Sequence, residues 1–423
     1  LVDIYILEAV KNLKTQLSGT LYGPFEQIVT LDGLPLKGPL SDDQLQIQSK
    51  GGVIVENGTI KEIGEFVALK EKAAKVKELG NHYVLMPAFV DSHTHLCFAG
   101  SRAHDYAARI SCKSYQEILK HGGGIYDTVR KTNEATEDEL LTFLKERLDA
   151  QLRYGVTTCE VKSGYGLSVD QELKQLRVIK KVNDDHRIDL VATCLAAHVL
   201  GPDFDDPSEY LKVISNELFP ALTKEGLTNR IDVFVEPEAF SFAVADQYLS
   251  KARQAGFEVT VHADQFTSGG SELAIKYMAA SADHLESSSD EDIKRLANSP
   301  VVATVLPGAS IGLGMNYAPA RKLLDAGCCV AIATDWNPGS APMGDLLTQA
   351  ALLSAYEKLS SAETFAGLTF RAAKALGLTD RGVLAPGKRA DMIAFSTADY
   401  REILYHQGKL KPKLVWKDGS VAL

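Results

Sequence analysis

Eight short apolar runs, each stopping at polar residues, limit the fold of this sequence more than any other feature. They read PAFVDSHTH (87–95), GVTTCEV (155–161), LVATCLAAH (190–198), IDVFVEP (231–237), FEVTVHADQ (257–265), ADHLE (282–286), VVATVLPG (301–308) and VAIATDWNPG (330–339). Runs this rich in Val, Ile, Ala and Thr suit strands buried on both faces, as in a parallel sheet. Between them lie helix-like segments. Thr136-Glu-Asp-Glu139 is a capping box before LLTFLKERLDAQL, in which Leu140, Leu144 and Leu148 share a face. SSDEDIKRLA and PARKLLDAG read the same way, the second closing at Gly327. Buried strands alternating with helices predict an α/β fold, specifically a (β/α)8 TIM-type barrel. No G-x-G-x-x-G turn follows any of the runs, so nothing recommends an open dinucleotide-binding sheet.

The barrel is expected over residues 87–380, flanked by 1–86 and 381–423. IVENGTIKEIG places two short alternating runs around Asn57-Gly58, a strong hairpin signal. GVLAPGKRADMIAFS and KPKLVWKDGSVAL in the tail are also strand and turn. The two ends resemble each other more than the middle, and are expected to meet as one small β-sandwich-like domain. The stretch from Cys97 to Thr136 is long for a first βα loop, which suits a lid or a binding loop.

A net charge of −10 argues against a nucleic-acid partner, whose phosphates require clustered Lys and Arg, and a small-molecule substrate is expected instead. The six cysteines show no C-x-x-C spacing and read as buried thiols of a reducing cytoplasm. The opening LVDIYILEAVKNL lacks an uninterrupted apolar core, and no stretch reaches the roughly 18 apolar residues of a membrane span. A cytoplasmic protein without membrane attachment is the expectation.

In a parallel barrel the C-terminal ends of all strands share one mouth. Those ends supply His93 and His95 from the first strand, His198 from the third, His262 from the fifth, His284 from the sixth and Asp335 from the eighth. Any one of these alone has a bland explanation as a satisfied core residue, but together they do not. His93 and His95 lie two apart on a strand and so face one point. Three imidazoles and a carboxylate suit Zn²⁺ or Fe²⁺ with a position left open for water, and His93, His95, His262 and Asp335 are the expected ligands. Metal-assisted hydrolysis follows as the reaction class. Asp335 would also relay the proton of the attacking water; His284 would hydrogen-bond the hydroxide or the developing oxyanion, or else serve a second ion. Asp91 is either a partner behind His93 or a helix-capping or polar core residue.

H-T-H on the first strand, with His262, His284 and Asp335 on later ones, resembles the amidohydrolase superfamily over essentially the whole chain. That superfamily's split β domain agrees with the terminal segments. Binuclear members often carry a carboxylated lysine on the fourth strand; here that strand runs into VFVEPEAF with Glu236, so the resemblance implies one ion. Lys162, after the second strand, reads as structural or solvated.

The loops FAGSRAHDYAARISCKSYQEILKHGGGI, EVKSGYGL, AAHVLGPDF, HADQF and TDWNPGSAP resemble more narrowly the imidazolonepropionase family, which opens 4-imidazolone-5-propionate to N-formimidoyl-L-glutamate in histidine degradation. Arg102, just after the first strand end, could form a bidentate pair with the carboxylate arm of such a substrate; the resemblance places Tyr115 and Tyr165 nearby to orient it, and His198 would contact its ring or its carbonyl. Asn337, Gly339 and Ser340 would line the far side. Gln265 stands where some members have a glutamate proposed to handle a ring proton; an amide can hydrogen-bond but cannot act as a base. Dimers are common among such barrels, and a homodimer is expected. Two other readings compete: a deaminase of a nucleobase-like ring, with less use for Arg102, and a non-catalytic binding protein, which would not need every ligand.

Overall fold

A computed structural model describes residues 18–80, 82–111 and 122–423. The eight runs form the strands of a barrel. In order they are Phe89–Asp91, Val156–Lys162, Asp189–Ala197, Arg230–Val233, a fifth strand in two pieces, Glu258–Val259 and Val261–Ala263, then Ser281–His284, Val302–Val305 and Cys329–Ile332. Neighbouring strands pair in parallel, and most of their residues are buried, which is why the sequence shows continuous apolar runs instead of alternation. The fifth strand breaks at Thr260, its first piece pairing with the fourth strand and its second with the sixth.

The barrel closes just beyond the first and eighth strands. Thr94 bridges Trp336 in parallel, the Asp335 amide donates to the His93 carbonyl at 3.0 Å, and the His95 amide donates to the Trp336 carbonyl at 3.0 Å. Asp91 braces the same seam: its carboxylate accepts from the Thr334 amide (3.0 Å) and hydroxyl (2.6 Å) and from the Gln151 side chain (2.9 Å). Of the two roles open to Asp91, the structure therefore favours the polar core residue.

The helices form where local chemistry predicts. Thr136 caps Glu137–Arg153 by accepting from the Glu139 amide at 3.2 Å, while the Glu139 carboxylate accepts from the Thr136 amide at 2.8 Å. Leu140, Leu144 and Leu148 on this helix are completely buried. Ser289 and Asp292 make the same reciprocal cap on Asp290–Ala297. No helix among the described residues is long and apolar enough to cross a membrane, and the five described cysteines are free and buried.

Both chain ends contribute to one further eight-stranded sheet. Met392–Ser396, from the tail, pairs antiparallel with Tyr83–Pro87, which leads directly into the barrel. The Asn57-Gly58 hairpin forms as expected, with both residues at positive φ between Ile47–Glu56 and Thr59–Glu65. The strand Thr20–Val29 shifts register between Tyr22 and Phe25; its first part pairs with Lys75–Glu78 and its second with Tyr83–Pro87. The sheet thus bends around a core in which Trp416 meets Tyr22 and Phe25 edge-on. Asp189, at the start of the third barrel strand, fastens this sheet to the barrel through Arg381, Lys417 (3.0 Å) and Arg389 (3.1 Å).

Candidate active site

Parallel register carries the polar strand ends to one mouth, where His93, His95, His262, His284 and Asp335 are all buried. The Nε2 atoms of His93 and His95 lie 3.5 and 3.3 Å from Asp335 Oδ1, and His262 Nε2 lies 3.4 Å from His95 Nε2. Behind these imidazoles stand two carboxylates. Asp283 Oδ2 is 2.8 Å from His93 Nδ1, and Asp232 Oδ2 is 2.9 Å from His262 Nδ1. A carboxylate on Nδ1 favours the tautomer that leaves a lone pair on Nε2, which is how metal-binding histidines are prepared. His93 Nε2 is buried and has no hydrogen-bond partner among the described residues.

Candidate donor atoms of His93, His95 and Asp335 fall within 4.8 Å of one another, as do those of His93, His262 and His284. These donors fit a divalent ion that accepts nitrogen and oxygen ligands. Burial and Lys162 oppose a proton on His93, but Asp283 and Asp335 outweigh them and raise its pKa to about 9; an ion at Nε2 would take the place of that proton. Burial pushes the other way at His262, down to about 3. His93 and His95 hold the Asp335 carboxyl well below its ordinary range despite its burial. Asp335 (φ 52°) and His284 (φ 89°) adopt backbone conformations that side chains rarely take, as residues fixed for a function often do.

Around this cluster opens a cavity of about 670 Å³, lined by Arg102, Tyr165, His198, Gln265, Asn337, Gly339 and Ser340 together with His95, His262, His284 and Asp335. Tyr115 lies outside the described residues. Arg102 donates through Nε to Asp105 at 2.8 Å, and its tip crosses Gly339 so closely that a Cβ there would lie 2.4 Å from Nη1. Asn337 ties together the wall on which the Arg102 tip rests. Its amide nitrogen donates to Asp335 Oδ2 (2.9 Å) and Ser340 Oγ (2.9 Å), and its amide oxygen accepts from the backbone of Gly339 (2.7 Å) and Ser340 (2.8 Å).

Four further residues line or support the cavity without an unambiguous sequence signal. Arg109 lines the cavity and donates to the Gly339 carbonyl at 2.8 Å; it lies seven residues from Arg102, two turns along the helix Ala103–Ile110, and that spacing was the available signal. Glu236 also lines the cavity, but its carboxylate is occupied with the loop after Gln265, accepting from the amides of Phe266 (2.8 Å) and Thr267 (3.2 Å) and the Thr267 hydroxyl (2.7 Å). Asp264 accepts from Gly269, Ser271 and Ser288, a structural task. Lys162 is structural and not solvated: it is fully buried, its ammonium 2.8 Å from both Glu160 and Asp232.

The profile of the amidohydrolase family matches residues 117–422. The imidazolonepropionase of Geobacillus kaustophilus is 40% identical over 411 residues, covering 94% of this chain and 96% of the relative. That of Clostridium tetani is 38% identical over 402 residues, covering 93% and 96%. This chain belongs to the imidazolonepropionase family of amidohydrolases. The family member from Deinococcus radiodurans is 40% identical over 393 residues, covering 93% of this chain and 96% of its own. Among solved structures, an atrazine chlorohydrolase mutant from Arthrobacter aurescens, complexed with zinc and atraton, superposes with a TM-score of 0.68 at 17% identity, covering 96% and 95% of the two chains. An adenosine deaminase from Xanthomonas campestris with bound zinc gives 0.69 at 17% identity, covering 96% and 93%. At such identities these two attest to the fold alone, and the amidohydrolase fold of this chain is the TIM-type barrel expected of it.

Proposed function

We propose that the protein hydrolyses 4-imidazolone-5-propionate to N-formimidoyl-L-glutamate, as a step of histidine degradation. The observation that carries this reading is the pairing, in one cavity, of histidine and aspartate side chains that could hold a metal ion with the guanidinium groups of Arg102 and Arg109. A ring with a carboxylate arm needs both; a nucleobase-like ring has no use for the arginines, which sets the deaminase reading aside.

His93, His95, His262 and Asp335 would hold a single ion, zinc or iron. When bound, the ion supplies Lewis acidity: it lowers the pKa of water and polarises the cyclic amide carbonyl. Arg102 grips the carboxylate arm, with Arg109 beside it, in the bidentate manner that suits a guanidinium fork. Tyr165, His198 and Gln265 orient the ring, with Tyr115 assigned to the same task, and Asn337, Gly339 and Ser340 form the facing wall. Asp335 takes a proton as the water oxygen bonds to the carbonyl carbon, and His284 donates to the oxyanion that develops. The carbon–nitrogen bond of the cyclic amide then breaks with its electron pair on nitrogen, and the proton held by Asp335 passes to that nitrogen. A new carboxyl group, which ionises by releasing its remaining proton to solvent, and the open formimidoyl arm result.

This reading extends to a homodimer working in the cytoplasm, with the barrel at residues 87–380 and the second domain formed by 1–86 and 381–423. The test is an ultraviolet assay with freshly generated substrate, following loss of ring absorbance above spontaneous decay and identifying the product by mass. Formation of N-formimidoylglutamate supports the proposal, and no acceleration by zinc- or iron-loaded protein overturns it.

A further inference from the structure

The loop after the second barrel strand, residues 163–168, is held in a conformation its chain would not choose unaided. Gly164 has φ +113°, and Leu167, which is not a glycine, sits at +55°. A Cβ on Gly166 would meet the Glu172 amide nitrogen at 2.6 Å, so the loop packs backbone to backbone against the first turn of the helix Val169–Asn183. The side chain of Glu172 is what holds it there. This carboxylate is completely buried. Its Oε2 accepts from the Gly164 amide at 3.0 Å, and its Oε1 accepts from the amides of Gly166 and Leu167, both at 2.8 Å. Burial raises the pKa of this carboxyl group, and the three loop amides, with Ser163, oppose that rise without a counter-cation.

Two cavity residues depend on this loop. Tyr165 is part of it, its ring 6.0 Å from that of His95 and 5.5 Å from that of His198. The Gly164 carbonyl lies 3.0 Å from Nδ1 of His198. A carbonyl can only accept, so His198 Nδ1 carries the proton and Nε2 is left as the one acceptor this ring can offer the cavity.

We infer that Glu172 is a positioning residue. By moulding the 163–168 loop it aims the Gly164 carbonyl at His198, fixes that imidazole as a hydrogen-bond acceptor, and so selects for a substrate ring that presents an N–H. The selection rests on the hydrolysis proposed above; the tautomer of His198 does not. Glu172 touches no substrate, and its effect on turnover passes through His198 and Tyr165.

The test uses Glu172→Gln, an isostere whose amide end turns a donor toward backbone donors, in the zinc-loaded full chain. Nitrogen-15 NMR of the histidine rings reads the tautomer directly. The wild type is expected to show His198 protonated at Nδ1, and E172Q to lose that single signature. In kinetics, E172Q is expected to raise KM about tenfold, equivalent to about 1.4 kcal/mol of binding, with kcat changed less than KM. In a His198→Ala background the same substitution is expected to add little further to KM. A purely structural role would lower the melting temperature alike in both backgrounds and leave the tautomer alone. Should E172Q fold poorly, Glu172→Asp, which keeps the carboxyl group but withdraws it by one methylene from the amides of Gly164, Gly166 and Leu167, loosens the same link and is expected to give the same spectrum and KM. An unchanged tautomer in the folded variants, or a KM effect undiminished without His198, overturns the inference. Wild-type protein that shows the Nδ1–H signature but does not turn over the imidazolone overturns the proposed reaction and leaves the role of Glu172 in place.

Discussion

Replacing Gly339 with alanine should separate substrate binding from stability. Gly339 is not among the residues at positive φ, so its backbone accepts a side chain without strain. The new methyl would stand 2.4 Å from Arg102 Nη1, where ordinary contact begins at 3.4 Å, so the guanidinium must retreat by about an ångström. Arg102 can do so because the obstructed atom is the tip of a flexible chain, and folding should lose less than about 1 kcal/mol. The carboxylate arm, however, meets a fork moved out of register. Losing a hydrogen bond to a charged group costs about 1.5–3 kcal/mol, which converts to roughly a 10- to 150-fold rise in KM. The arm is remote from the bond that breaks, so kcat should change by no more than about threefold. The assay is steady-state hydrolysis of 4-imidazolone-5-propionate alongside a melting curve. An unchanged KM in a folded G339A protein would refute the reasoning, since the arm would then not be held by the fork that crosses Gly339.

Other perturbations probe the remaining parts of the account. Asp335→Asn should leave a folded protein with kcat reduced at least about 100-fold, because the amide cannot relay a proton; substantial retained turnover in circular-dichroism-checked protein would remove that role. Asp283→Asn, which alters the partner of His93 Nδ1, should weaken metal binding by about 10- to 100-fold in competition with a chromophoric chelator, and unchanged affinity would show that this carboxylate does not tune the ligand. Where the eight-stranded sheet meets the barrel, Lys417, Arg381 and Arg389 overcome burial and hold the Asp189 carboxyl below its ordinary range. A depressed folded-state pKa contributes stability above the unfolded value and loses it as pH falls through the folded one. Asp189→Asn should therefore lower the melting temperature at neutral pH, with the gap to wild type narrowing under acid conditions; a gap independent of pH would contradict it.

Much of this could be read in the sequence because its signals are local. Strands buried on both faces leave continuous apolar runs, and capping boxes such as Thr136-Glu139 write the helix starts into four residues; His93 and His95, read as strand residues, in fact lie just past the strand Phe89–Asp91, on either side of the Thr94–Trp336 bridge. The convergence of five strand ends needed one further fact, the common mouth of a parallel barrel. What stayed hidden depends on partners distant along the chain. Lys162 looks the same in sequence whether solvated or buried, and only the fold shows Asp232 of the fourth strand against its ammonium. Glu236 resembles a site carboxylate until Phe266 and Thr267 are seen to occupy it. The break of the fifth strand at Thr260 left no mark, since FEVTVHADQ is uniformly strand-like and the division follows from changing neighbours across the barrel.

The most direct test of the central claim is hydrolysis in water enriched in oxygen-18, with the metal-loaded protein and fresh 4-imidazolone-5-propionate. The account predicts N-formimidoylglutamate carrying one heavy oxygen in the newly formed carboxylate, produced faster than spontaneous decay and abolished when a chelator removes the metal. Release of ammonia with the ring intact, or no product beyond the spontaneous rate, would contradict it.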